Sequence, residues 1–304
     1  MSPATAPRRT SAAETLALGS LLIAIAVLAM KVVAAWLTGS VALFADALES
    51  VVNVTAAGAA LFAIRFSAMP PDANHPYGHA KVEYFSAVLE GALIIAAALA
   101  ILQQAWGSLS ALHAPFSAAS GLAVSAVAAL INGIWATILS RRGGALKSPA
   151  LLADARHLKA DVVTSVGVIL GVGLVAATGI LWLDPLLAAL TAVNILWSGW
   201  QLLRESVGGL MDEAVPDAAL ARIRDIITRE AIGAIEAHDL RTRHAGRWTF
   251  VEFHLVVPGG MSVSDAHGIC DRVEAALKDD FGNAIISIHV EPDAKAKHKG
   301  VLVL

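Results

Sequence analysis

The stretch FADALESVVNV, residues 44–54, sets Glu49 and Asn53 four residues apart, and ARHLKADVV, residues 155–163, repeats the spacing with His157 and Asp161. Residues i and i+4 share one face of a helix. Two helices each presenting such a pair bring four oxygen and nitrogen donors together, the number a tetrahedral divalent cation takes. Both pairs lie in apolar surroundings, where an ionisable group costs about 2.5–3.5 kcal/mol on insertion scales and faces a cavity or a partner. The pairs therefore read as a cation site inside a membrane. The alternative reading is a set of interhelical hydrogen bonds that hold a bundle together.

Other polar residues at membrane depth have plainer readings. Lys31 and Asp46 lie at similar distances from the outer ends of their spans, so an ion pair would neutralise both. Glu90 either lines a cavity or pairs with a neighbouring helix. The sequence PPDANHPYGHAKVEYF, residues 70–85, gathers Asp72, His75 and His79 in a loop that its prolines and Gly78 fold tightly, a second candidate cation cluster. It lacks the HExxH helix of a metalloprotease, so a membrane metallohydrolase is not indicated and the chain reads as no enzyme.

These residues need elements to hold them. Charged residues make up 15% of the chain and apolar ones 57%, with a mean hydropathy of +0.67. That balance fits an integral membrane protein rather than a soluble enzyme. About 20 apolar residues cross a bilayer. Windows near 14–37, 41–65, 82–106, 118–139, 150–177 and 183–205 satisfy this, which predicts an all-α domain over 14–208 after a short segment 1–13. The run after Arg8 and Arg9 is too long for a cleaved signal and reads as the first span.

Arg8, Arg9, Arg65, Lys81, Arg141, Arg142, Lys147 and Arg204 fall on one side of this pattern, and the opposite loops carry no Lys or Arg. The positive-inside rule then places both termini in the cytoplasm, in an inner membrane. Asn53 and Asp161 come out at about 18 and 16 Å from the inner ends of their spans at 1.5 Å per residue, so they can meet. Hydropathy alone sets His157 nearer the interface. A water-filled cavity open to the cytoplasm reconciles the two.

From residue 209 the pattern changes to that of a soluble domain. Residues 216–231 and 262–281 have helical periodicity, and 247–257 and 284–292 alternate as strands. With a strand near 234–243 the order is α-β-β-α-β, an α+β fold like that of ferredoxins and metallochaperones. His238, His254 and Glu291 read as metal ligands on the polar face of its sheet, with His267 and His289 near a partner subunit. His113 and His298 read as solvated, and the lone Cys270 as a small semi-buried side chain that offers no disulfide. No basic run suggests nucleic acid.

Six spans, the 44–54 stretch, the His157/Asp161 pair, the DANHPYGH loop, and AHDLRTR and FHLVV in the tail together resemble the cation diffusion facilitator family. The resemblance covers nearly the whole chain. It implies a homodimeric exporter of divalent cations, proton-coupled, with Zn²⁺ or Fe²⁺ first among the candidates and Co²⁺, Ni²⁺ or Mn²⁺ also served by such donors. Divalent metal would be both cargo and regulator. Lys81 and Asp212 match positions of a charge interlock that stabilises the dimer, with Arg241 close by. The family commonly places a carboxylate where Asn53 stands. That departure keeps open a second reading, a metal-sensing or partner subunit that no longer transports.

Overall fold

The computed structural model describes residues 11–38, 41–110, 119–297 and 301–302, so His113 and His298 lie outside it. The chain divides into two compact units, Met1–Val207 and Gly208–Leu304. The first holds six long helices: α1 (Ala12–Thr38), α2 (Val41–Ser67), α3 (Val82–Ser110), α4 (Ala119–Leu146), α5 (Pro149–Thr178) and α6 (Leu183–Leu210). Among the described residues, five of these carry an apolar stretch long enough to cross a membrane. The remaining helix, α5, is 30 residues long and carries Asp154, Arg156, Lys159 and Asp161 in its first half, ahead of the apolar sequence from Val162 onward. So the expected fifth span is present as a helix, with its polar residues gathered in its first half. Its charged half is covered by its neighbours, since Asp154 and His157 are both buried.

This helix is the hub of the bundle. One apolar cluster joins Ala17 of α1, Ala60 and Ile64 of α2, Leu139 of α4 and Leu151 and Leu158 of α5. A second joins Ala87 and Ile94 of α3, Ala153 of α5 and Ile195 and Leu202 of α6. Small residues let the backbones approach, as is usual between membrane helices. A Cβ on Gly91 would lie 3.2 Å from the Leu203 backbone nitrogen, and one on Gly199 would lie 2.9 Å from Ile94. Large apolar side chains such as Trp36, Phe62, Trp106 and Trp197 face outward, which suits lipid contact rather than water.

The start of α5 is fixed by chemistry legible in KSPALL. Ser148 is the N-cap and its hydroxyl accepts from the Leu151 N–H, while Pro149 takes the first helical position, where it needs no N–H partner. The same Ser148 hydroxyl donates to Glu83 at the start of α3. The other Glu83 oxygen accepts from Ser67 at the end of α2, at 2.7 Å. One carboxylate thus ties three helix ends together.

The second unit contains α7 (Asp217–Glu230), β1 (Glu236–Ala245), β2 (Trp248–Val257), α8 (Val263–Phe281), β3 (Ala284–Pro292), a short 3-10 turn and β4 (Val301–Leu302). The sheet order is β3-β2-β1-β4. β1 and β2 form an antiparallel hairpin, and β2 and β3 run parallel because α8 carries the chain back across. Ile223 and Ile227 of α7, Val273 and Leu277 of α8, and Val251, Phe253 and Leu255 of β2 form the core between helices and sheet. The expected α-β-β-α-β order is found, with β1 two residues later than predicted. The added β4 pairs with Glu236 and Ala237 of β1.

Candidate cation sites

Asn53 and His157 are buried, and α2 and α5 bring them into contact. The His157 Nε2 lies 2.8 Å from Asn53 Oδ1. On its other side the Asn53 amide donates to the Asp161 carboxylate. Asparagine therefore bridges the two α5 residues, one through each end of its amide. A carboxylate at position 53 would instead face Asp161 as a like charge. With Oδ1 accepting, the His157 Nε2 carries the imidazole proton. Its Nδ1 is then a bare lone pair, buried with no partner. A cation taken at Nε2 requires that proton to leave or to move to Nδ1. It also requires the amide to let go of Asp161.

The side chains of Asp46 and Glu49 lie outside the described residues, as does any ion pair of Asp46 with Lys31; their helix backbone is described. Lys31 itself is buried in α1. Glu90, read as lining a cavity or pairing with a neighbouring helix, faces α5. It is fully buried, both of its oxygens lack a hydrogen-bond partner, and the charged group acting on it is Asp154 of α5. Asp154 went unremarked in the sequence because its spacing matches no ligand motif by itself.

Asp72, His75 and His79 come together in the loop between α2 and α3, with ligand atoms within 4.8 Å of one another. Asp72 Oδ1 accepts from the backbone N–H of Asn74 at 2.9 Å and of His75 at 2.7 Å, an Asx-type turn closed by Gly78 at φ +82°. His75 Nδ1 is 3.1 Å from the same oxygen, and His79 Nε2 is 3.4 Å from Oδ2. The His75 backbone N–H is the chief cause that holds the Asp72 carboxyl below its usual value. It stays ionised to lower pH than a free aspartate. His79 is buried against the edge of Phe66, with ring centres 5.0 Å apart.

In the second unit three histidines line up across adjacent strands. His238 of β1 stands opposite His254 of β2, which stands opposite His289 of β3. Ring centres are 5.3 and 4.9 Å apart. Glu291 reaches His238 Nε2 at 3.3 Å, His254 Nδ1 at 3.4 Å and His289 Nε2 at 3.8 Å. The expected set is thus brought together except for His267, which is exposed on α8 beside Asp271 at 3.6 Å.

Two members of this region have no signature in the sequence pattern. Asp239 joins His238 and His254 as a third ligand candidate because a register shift follows His238 and Asp239 adopts φ +54°. Alternation alone would turn it to the other face. Glu236, two residues before His238 and fully buried, sets a carboxylate oxygen 3.4 Å from His238 Nδ1. A carboxylate behind the outer nitrogen is the usual support of a metal-binding imidazole.

Of the expected interlock residues, Lys81 immediately precedes α3. Asp212, in the other unit, accepts from Arg243 at 3.1 Å, and that guanidinium also covers the Phe250 ring at 3.9 Å. The arginine against Asp212 is therefore two residues beyond Arg241, which is exposed and stands opposite Glu252. The lone Cys270 is buried in the tail core, where burial pushes its thiol pKa up.

Comparison with known proteins gives these sites a setting. Residues 17–211 match the cation efflux transmembrane domain, and residues 215–293 match the cytoplasmic domain of cation efflux proteins. An "Uncharacterized transporter sll1263" of Synechocystis sp. is 42% identical over 269 residues, covering 88% of this chain and 87% of that one. The cation-efflux pump FieF of Yersinia pestis is 33% identical over 276 residues, or 91% of each chain. A solved structure of CzrB in its Zn form is 45% identical over 28% of this chain and 98% of that one, with a TM-score of 0.27. With six helices, a small α+β unit and both family domains matched nearly end to end, this chain belongs to the cation efflux, or cation diffusion facilitator, family of transporters.

Proposed function

We propose that the chain exports a divalent transition-metal cation, Zn²⁺ or Fe²⁺ foremost, from the cytoplasm across the inner membrane in exchange for protons. The observation that carries this is the buried junction of Asn53, His157 and Asp161 between α2 and α5. With Glu49 one turn from Asn53, it offers four donors to one ion. The cation enters from the cytoplasmic side, where both termini lie, and meets neutral imidazole and ionised carboxylate. Its arrival therefore releases protons, and reprotonation from the far side drives release. The unit from residue 209 onward is cytoplasmic and joins two copies of the chain. Metal held by His238, His254 and Glu291, with His289 and His267 contributed near the partner, biases the dimer only as far as it binds one conformation more tightly. The Asp72, His75 and His79 loop serves as an entry-side site.

Asn53 favours a second reading, in which the site has lost its pump and the protein senses metal or supports a partner. Purified protein in liposomes with an imposed pH gradient decides between them. Uptake of one of Zn²⁺, Fe²⁺, Co²⁺, Ni²⁺ or Mn²⁺ by the native chain is the expected result. Absence of uptake natively, with uptake by Asn53→Asp, overturns export in favour of the sensor.

A further inference from the structure

The polar groups of α5 do not stop at His157. Asp154 lies three residues earlier, so Asp154, His157 and Asp161 form one stripe, with Asp154 about 4.5 Å closer to the start of the helix at 1.5 Å per residue. Across from it on α3 stand Glu90 and, one turn earlier, Ser86. Glu90 is 0%, Asp154 3% and Ser86 6% exposed. Both Glu90 oxygens, Asp154 Oδ2 and the Ser86 hydroxyl have no hydrogen-bond partner. Ala87 and Ile94, on either side of Glu90 along one face of α3, pack in a buried cluster with Ala153 of α5, beside Asp154. Asp154 acts on Glu90, which Ser86 faces, while Ser20 of α1 faces Asp154 and His157 and Asp161 act on it from its own helix. No arginine or lysine partners either carboxyl among the described residues.

Two buried carboxylates in this arrangement need a positive charge between them, because each desolvated anion alone is heavily disfavoured. A shared proton neutralises only one of the two charges and leaves the other buried. A divalent cation contacts several oxygens at once. We infer that Glu90 and Asp154, with the Ser86 hydroxyl, form a second divalent-cation site in the membrane unit, one turn before His157 on α5. It is an all-oxygen site, suited to ions such as Mn²⁺ or Fe²⁺ more than to thiolate- or imidazole-seeking ones. For its direction of use it rests on the export reading: a cation coming from the cytoplasmic end reaches Asp154 before His157 and passes along the stripe.

Mn²⁺ alone is the probe, titrated into the detergent-solubilised full chain with bound ion counted by electron paramagnetic resonance. The expected result is that Glu90→Gln/Asp154→Asn loses one Mn²⁺ per chain, or holds it at least tenfold more weakly, while His157→Ala keeps that ion. Unchanged count and affinity in the double variant overturns the site and leaves the pair as a protonated structural contact. Glu90→Asp, which keeps both carboxylates, is expected to retain the ion. If it elutes as the native protein does yet has lost the ion, ligation by the pair is overturned as well. Vesicle transport is scored separately. A native chain that moves no cation but still loses Mn²⁺ on the double substitution refutes export while supporting the site.

Discussion

The two histidine-bearing sites solve the problem of charge in opposite ways. Inside the bundle, the buried His157 and the half-buried Asp161 are joined by a neutral amide. On the tail sheet, Glu291 stands among three histidines, of which His254 is 36% and His289 68% exposed at the side chain. Water screens the second arrangement more than the first, so each removed group costs more in the bundle. The lesson is that Asn53 is an economy forced by depth. It holds two ligands in place without adding a charge that the empty site would have to neutralise.

The sharpest way to break this contrast is to delete the matching histidine from each site. His157→Ala should lower liposome transport at least about a hundredfold, whereas His254→Ala should lower it about tenfold or less, the scale of supporting groups around metal sites. Equal losses would abolish the distinction between a transport site and a regulatory one. Next in size is Asn53→Asp. It removes an amide donor and sets two carboxylates face to face, so the metal-free protein should lose roughly 1–3 kcal/mol of stability. Added divalent cation should restore it, as read by thermal unfolding in detergent. An Asn53→Asp chain as stable as the native one without metal would show that the bridge does not matter.

Smaller effects refine the picture. Ser148→Ala removes the α5 cap and one Glu83 bond, and should cost about 1–2 kcal/mol. Lys297→Ala should have the smallest effect. Lys297 lies 2.5 Å from Asp239 and is the chief cause that lowers the Asp239 pKa. A depressed carboxylate contributes stability above its ordinary value near 3.8, lost as pH falls through the lower folded value. The variant should shift the Asp239 titration upward toward 3.8, seen by carboxyl NMR of the protein, and should free Asp239 for a metal at the tail. No upward shift would mean the lysine is a bystander.

How much of this was written in the sequence differs between the units. The tail elements follow from alternation and helical periodicity, since one face of each packs on a single apolar core. β1 departs at Asp239, where a positive φ and a register shift re-aim a side chain that strict alternation sends elsewhere. In the bundle, the i, i+4 pairs announce Asn53, His157 and Asp161, because a helix carries that spacing intact. Glu90 is legible as a carboxylate at membrane depth, but its neighbour Asp154 stays hidden, since a contact between two helices depends on their packing and leaves no mark in either stretch of sequence. The fifth helix starts at Pro149, one residue before its expected span at 150, and the cap at Ser148 carries it well ahead of the continuous apolar run from Val162.

The tie from Glu83 to Ser148 has a mechanical side. A helix held at its first turn is a lever with its fulcrum there, and displacement grows with distance along it. His157 is about 13 Å and Asp161 about 20 Å from Ser148 at ~1.5 Å per residue. A tilt of about 10° about that point swings them by roughly 2 and 3 Å. Metal coordination tolerates errors of only about 0.2 Å. A clasped first turn thus lets a small rotation of one rod dismantle the donor set completely, with no bond in the clasp broken and no turn of helix unwound.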